Sequence, residues 1–143
     1  LVLSRGLGDV YKRQQIHLND ELVQDVDNLV VTAGKGYVAS RMKDASATAM
    51  SHMAIGSGST AAAASDTALG SELGRVALTS TNVSGAIVTY TATFAAGTAT
   101  GAATEAAILN ASSGGTMLCR TVFSVVNKGA SDSMTVTWTV TVS

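Results

Sequence analysis

Few side chains of this sequence could do chemistry, and they are scattered along it. His17 and His52 are isolated from each other and from Cys119, so neither predicts a metal site. The glycine-rich stretch 56–60 (GSGST) is followed by no Gly-Lys-Ser/Thr, so it does not predict a phosphate loop. Cys119 is the one cysteine of the chain. It therefore forms no intramolecular disulfide, and we interpret it as a small buried apolar side chain.

Only four acidic residues follow residue 45, namely Asp66, Glu72, Glu105 and Asp132. No two of them have the spacing expected for carboxylate catalysis. We therefore predict no catalytic, cofactor-binding or metal site. Glu105 and Arg120 flank the turn sequence NASSGG (110–115) as rare charges in an apolar stretch. If Asn110 lies opposite Gly115, the two charges face each other across an antiparallel ladder. The sequence thus predicts a structural ion pair, which in a sheet contributes about 0.2–1 kcal/mol.

The overall charge excludes some classes of partner. The 143 residues include 9 Lys and Arg against 10 Asp and Glu, for a net charge of −1. A chain so close to neutral is not suited to nucleic acid or to an acidic membrane surface. No apolar run approaches the roughly 18 residues of a membrane span, so we predict no membrane insertion. Alternating Thr and Val, without a single proline, indicates strands rather than disorder.

The part of the chain after residue 45 has the period of β-strands. In 133–143 the residues Met134, Val136, Trp138 and Val140 alternate with threonines, and 86–94 (AIVTYTATF) alternates in the same way. Turn signals separate such runs. We predict a mainly β fold, an antiparallel β-sandwich or meander of about six strands over residues 45–143. The predicted strands cover 50–55, 75–83, 86–94, 103–110, 116–126 and 133–143.

An α-helix is predicted before this β domain, over residues 15–44. Asn19 or Asp20 is a suitable N-cap, and Arg41 and Lys43 lie near the C-terminal end, where cations are favourable. The apolar stripe of this helix has a period close to 3.6 residues: Leu22, Val26, Leu29, Val30, Ala33, Tyr37 and Met42. We expect the helix to act in docking or oligomerisation.

The opening stretch 1–14 (LVLSRGLGDVYKRQ) differs from the rest of the chain. Its last six residues can be read back as GAT GTG TAT AAG AGA CAG, the transposase mosaic end used in shotgun sequencing libraries, and the chain does not begin with Met. The stretch has neither the apolar run of a secretory signal nor a dense basic block. We therefore expect residues 1–14 to be translated adapter rather than native sequence and exclude them from the fold prediction.

Six short sequence elements, in order, resemble a group of tailed-bacteriophage structural proteins often labelled tail fibre or virion structural protein. They are H-x-A-I-G-x-G-x-T (52–60), D-T-A-L-x-x-E (66–72), Arg75, T-E-A-x-I-x-N (104–110), M-L-x-R-T-V-F (117–123) and W-T-V (138–140).

The resemblance implies a non-enzymatic component of a tailed-phage virion, expected to be a tail fibre or tail-associated protein. It implies other virion proteins as partners and a homo-oligomer, trimers being common among fibres. The location would be the virion, assembled in the bacterial host cytoplasm. Two alternatives stay open. One is a head-decoration protein of the capsid. The other is a carbohydrate-binding β-sandwich on a bacterial surface, which would need exposed aromatic rings such as those of Trp138 or Tyr90.

Overall fold

Two antiparallel sheets of five strands each, with a single helix, make up the described part of the chain, residues 10–43 and 47–142 of a computed structural model. The helix, α1 (Thr32–Lys43), follows the third strand. The strands are β1 (Val10–Leu18), β2 (Glu21–Asp27), β3 (Leu29–Val30), β4 (His52–Gly56), β5 (Glu72–Ala77), β6 (Ser80–Ser84), β7 (Ile87–Phe94), β8 (Gly101–Leu109), β9 (Met117–Lys128) and β10 (Met134–Val142). The first sheet has the order β2-β1-β10-β7-β6 and the second the order β3-β9-β8-β4-β5.

The alternation in β10 determines how the two sheets pack. Met134, Val136 and Trp138 are completely buried and belong to one core cluster with Met53 and Ile55 of the other sheet. The intervening threonines of β10 lie on the outer face and are only partly buried. Apolar side chains on alternate positions thus form the interior of a β-sandwich. The mainly β, antiparallel part of the fold prediction is confirmed.

The predicted helix over 15–44 is wrong in its first half, where the chain forms a β-hairpin. Asn19 and Asp20 have φ angles of 49° and 67°. These left-handed values are typical of a two-residue hairpin turn, and short polar side chains tolerate them. The two residues therefore connect β1 to β2 instead of capping a helix. All nine residues of β1 pair with β10, and this pairing outweighs the local helical period. The helix begins only at Thr32.

The described residues form ten strands rather than about six, for two reasons. β1, β2 and β3 come from the excluded stretch 1–14 and from the segment predicted as helix. In addition, the predicted strand 75–83 divides into β5 and β6, because the chain crosses there from the second sheet to the first. The β6–β7 turn consists of Gly85 and Ala86, with Gly85 at a φ of 58°.

β1 begins inside the stretch expected to be translated adapter. Residues 1–9 lie outside the described residues, and residues 10–14 pair with residues 138–142 of β10. Gln14 is completely buried, and neither polar atom of its amide has a hydrogen-bond partner; Nε1 of Trp138, its neighbour across the ladder, has none either. A buried unpaired amide costs about 1–3 kcal/mol. This mismatch lies at the last residue of the stretch. The adapter origin of residues 1–14 stays a prediction.

Candidate functional site

Residues 57–71, which connect β4 to β5, bury two charged side chains on the outer face of the second sheet. The N–H of Ser57 donates to the carbonyl of Ser71 and closes this connection into a loop, here called the covering loop. Beneath it, Glu105 of β8 is completely buried and Arg120 of β9 is 2% exposed. An isolated charge in such a place would be very unfavourable, so the partners of the two groups define the site.

Five hydrogen bonds converge on the carboxylate of Glu105. The backbone N–H groups of Gly58 (2.8 Å) and Ser71 (2.8 Å) donate to Oε1, and that of Gly70 (2.9 Å) donates to Oε2. Arg120 donates to Oε2 from Nη2 (2.8 Å) and Nε (3.1 Å). Three amides from two ends of the covering loop therefore bind one side chain of the sheet.

The glycines of the GSGST stretch are explained by this carboxylate rather than by a phosphate. A Cβ atom placed on Gly58 would lie 2.4 Å from Oε1 of Glu105, and one on Gly56 would lie 2.6 Å from it. A side chain at Gly58 would require the carboxylate to move, and one at Gly56 would also clash with the backbone carbonyl oxygen of Ser71, at 2.4 Å. Glycine here allows the backbone amide to reach the buried acid.

Arg120 ties the middle of the covering loop to the same centre. Its Nη1 donates to Oδ2 of Asp66 (2.7 Å) and to the carbonyl of Ala61 (3.5 Å), and Nη2 also donates to the carbonyl of Thr60 (3.0 Å). Together with the two bonds to Glu105, these contacts occupy all five N–H groups of the guanidinium. Asp66 in turn accepts from the N–H of Ala63 (2.9 Å), so the loop is bonded internally as well.

The surroundings keep all three groups ionised. Burial by itself would raise the pKa of Glu105, but the amides of Gly70 and Ser71, then Arg120 and Gly58, outweigh it and hold that pKa below its ordinary value. Burial likewise opposes the charge of Arg120, yet its carboxylate partners raise the pKa of the guanidinium. The hydrogen bond from the N–H of Ala63 is the largest cause that lowers the pKa of Asp66, and Arg120 lowers that pKa further.

The structure brings Glu105 and Arg120 together, although in a different register from the one predicted. Arg120 lies opposite Ala107, and Glu105 lies opposite Val122, so the two side chains meet diagonally. The ladder shifts twice along β8, between Ala103 and Glu105 and between Ile108 and Leu109. Such bulges change the count of residues across a turn, and no local sequence pattern announces them.

The geometry of this centre suits a structural role. A general acid or base needs a pKa near the working pH, whereas the pKa of Glu105 is lowered and that of Arg120 is raised. A cavity of about 390 Å³ borders Arg120, between Asn28 and Ala61 among others. The guanidinium has no N–H group left for a ligand in that cavity. Among the residues that the structure describes, no three His, Cys, Asp or Glu side chains are placed to hold a metal ion.

A second feature, which the sequence did not reveal, is an apolar groove at one end of the sandwich. It has a volume of about 480 Å³ and lies between α1 and the ends of β6, β7 and β10. Val83 and Met42 on its walls are 69% and 83% exposed. Tyr37 and Tyr90 also line it, and burial is the largest cause that raises the pKa of Tyr90 to about 12. Trp138, by contrast, is completely buried and offers no ring face to a sugar.

Two further findings concern the chain as a whole. No helix in residues 10–43 or 47–142 has the length and hydropathy needed to cross a membrane. Comparison of the chain with protein-family models, with curated proteins and with solved structures found no match.

Proposed function

We propose that the chain is a non-enzymatic structural subunit of a tailed-phage virion, a tail fibre or tail-associated protein. The observation that carries the proposal is the buried centre beneath the covering loop. Gly58, Asp66, Glu105 and Arg120 belong to four different elements of the phage-like pattern, separated by up to 62 residues in sequence, and they meet in one hydrogen-bond network. Residues of the pattern that resembles phage structural proteins therefore hold one structural centre together.

The physical character of the fold supports the same function. The buried charges of this centre, Glu105 and Arg120, are paired with each other and hold a loop of the protein itself, which makes the subunit rigid without making it reactive. The outer face of β10 carries threonines, which supply hydroxyls without charge. A particle built from many copies needs stable subunits of this kind. Virion location and virion partners follow from the proposal.

The genes on either side of this one test the proposal without any change to the protein. We expect genes for tail or baseplate components beside it. Neighbouring genes for a capsid protease and a major head protein would instead favour the head-decoration alternative. Neighbours with no relation to phage particles would contradict the proposal and return attention to binding functions such as carbohydrate recognition.

A further inference from the structure

The four outer edges of the two sheets are not equally protected against pairing with another chain. In the second sheet, β3 has only two residues, and β5 carries the ion pair between Glu72 and Arg75 and lies beside a bulge. In the first sheet, β2 carries three acidic residues, and its ladder with β1 contains a bulge. Short, charged and bulged edges resist strand addition. Among the described edge strands, β6 (Ser80–Ser84) alone lacks these protections: it is exposed at all five residues and carries no charge and no proline.

The hydrogen bonds of β7 fix the direction in which the backbone of β6 points. The carbonyl of Thr91, which lies opposite Ser80, accepts from the N–H of Thr79 and therefore points towards β6. Backbone groups alternate in direction along an antiparallel strand, so Ser80 bonds to β7 and the next residue does not. The N–H and C=O groups of Thr81 and Val83 thus point away from β7, where an added strand can bond to them.

The sequence of β6, STNVS, is suited to pairing with a second copy of itself. When two such strands run antiparallel about a two-fold axis at Asn82, the outward groups of Thr81 in one copy face those of Val83 in the other, and each such pair can exchange both of its hydrogen bonds. The side chains match as well. Ser80 faces Ser84, and Asn82 faces its own counterpart, whose amide both donates and accepts. An axis centred on any other residue of β6 leaves part of the strand unpaired.

No charge opposes this self-pairing along the strand. The sequence between Arg75 and Glu105 contains no Asp, Glu, Lys, Arg or His, so neither β6 nor β7 brings like charges together across the axis. The pairing also covers apolar surface. Val83 is 69% exposed and, together with Thr81, lines the apolar groove. In the paired strands these two β-branched side chains of opposite copies lie side by side on the groove face.

We propose that two copies of this chain associate through their β6 edges, antiparallel about a two-fold axis at Asn82, so that the first sheet continues from one copy into the other. The contact is isologous and closes at two copies. It rests on the proposed function, because it names how such a subunit self-associates. With five residues in each strand the contact is small, so free subunits associate weakly, whereas subunits held side by side on a particle pair readily.

Charges of either sign placed at Asn82 test this interface by sedimentation equilibrium of the full chain. Asn82→Lys and Asn82→Asp each put two like charges directly opposite one another across the axis. Each variant alone is expected to be a monomer of 14.4 kDa at concentrations where the unaltered chain is a dimer, with the dissociation constant raised at least about tenfold. The matched controls Ser131→Lys and Ser131→Asp, on the exposed β9–β10 turn, are expected to dimerise like the unaltered chain.

Mixing the two Asn82 variants is the decisive step, because a two-fold contact at Asn82 turns their charges into an opposite pair. An equimolar mixture is expected to form a dimer with one chain of each variant, and this dimer should weaken as salt is added. A mixture that stays monomeric, or a variant that alone associates like the unaltered chain, overturns the interface.

The outcome for the interface is separate from the outcome for the proposed function. If the unaltered chain is a monomer, the interface is wrong, and the neighbouring genes still decide the function. Neighbours unrelated to phages would overturn the function while the mixed dimer upheld the interface.

Discussion

Replacing Glu105 by Gln should destabilise the protein more than any conservative change of a surface acid. The substitution keeps the shape of the side chain but removes its charge and turns one acceptor oxygen into a donor amide. Five hydrogen bonds end on the native carboxylate, and Arg120 would lose its most buried partner. Removing one member of a buried ion pair costs about 3–5 kcal/mol. Because Asp66 still contacts Arg120, we expect the lower end, about 3 kcal/mol.

Urea unfolding followed by circular dichroism measures this change. With a urea dependence of about 1–3 kcal/mol/M, the midpoint should fall by about 1–3 M. Glu72→Gln is the matched control, since the Glu72 side chain is 35% exposed and ion pairs open to solvent contribute less than about 1 kcal/mol. Equal shifts for the two variants would refute the reasoning. The double variant Glu105→Leu with Arg120→Leu should not regain stability, because it leaves the loop amides unpaired.

Three other changes have definite expected outcomes. The free energy of unfolding should fall as the pH drops from 4.5, the ordinary pKa of Glu105, towards the lowered pKa of this residue in the folded chain, because the unfolded chain binds the proton first. In the Glu105→Gln variant the urea midpoint should depend less on pH over this range. Gln14→Leu should stabilise by about 1–2 kcal/mol in the same assay, since it removes a buried unpaired amide. Gly34→Ala should lower the melting temperature, because the new Cβ would lie 2.0 Å from the carbonyl oxygen of Leu118. Gly36→Ala should raise it, because the new Cβ would meet no atom within 4 Å and alanine favours a helix more than glycine does.

The strands after residue 85 were predictable because local and tertiary preferences agree there. In β10 every second residue is apolar and β-branched or large, so strand propensity and burial on one face require the same conformation. The first forty residues lack this agreement. Asn19 and Asp20 suit a helix cap as well as a left-handed turn, and the apolar residues that follow fit either period. Pairing with β10, over a hundred residues away, decides between them.

The candidate site was predictable only in part. Glu105 and Arg120 were identified because isolated charges in an apolar stretch need each other. Their third partner, Asp66, and the amides of the covering loop were missed, because the path of a fifteen-residue connection over a sheet leaves no periodic signal. The signal that was present lay in Gly56 and Gly58 of the GSGST stretch, which was excluded only as a phosphate loop. The apolar groove was missed because the predicted helix, which includes the residues of α1, was extended over residues that form strands, and nothing in the sequence placed α1 beside β6, β7 and β10.

The central claim, that this chain is a subunit of a larger assembly, is tested most directly by the mass of the unaltered full chain in solution. Sedimentation equilibrium over a range of concentrations from about 1 µM to about 500 µM is the measurement. The account predicts a mass that rises with concentration from that of one chain, 14.4 kDa, to a multiple of it. A constant 14.4 kDa over the whole range would contradict it.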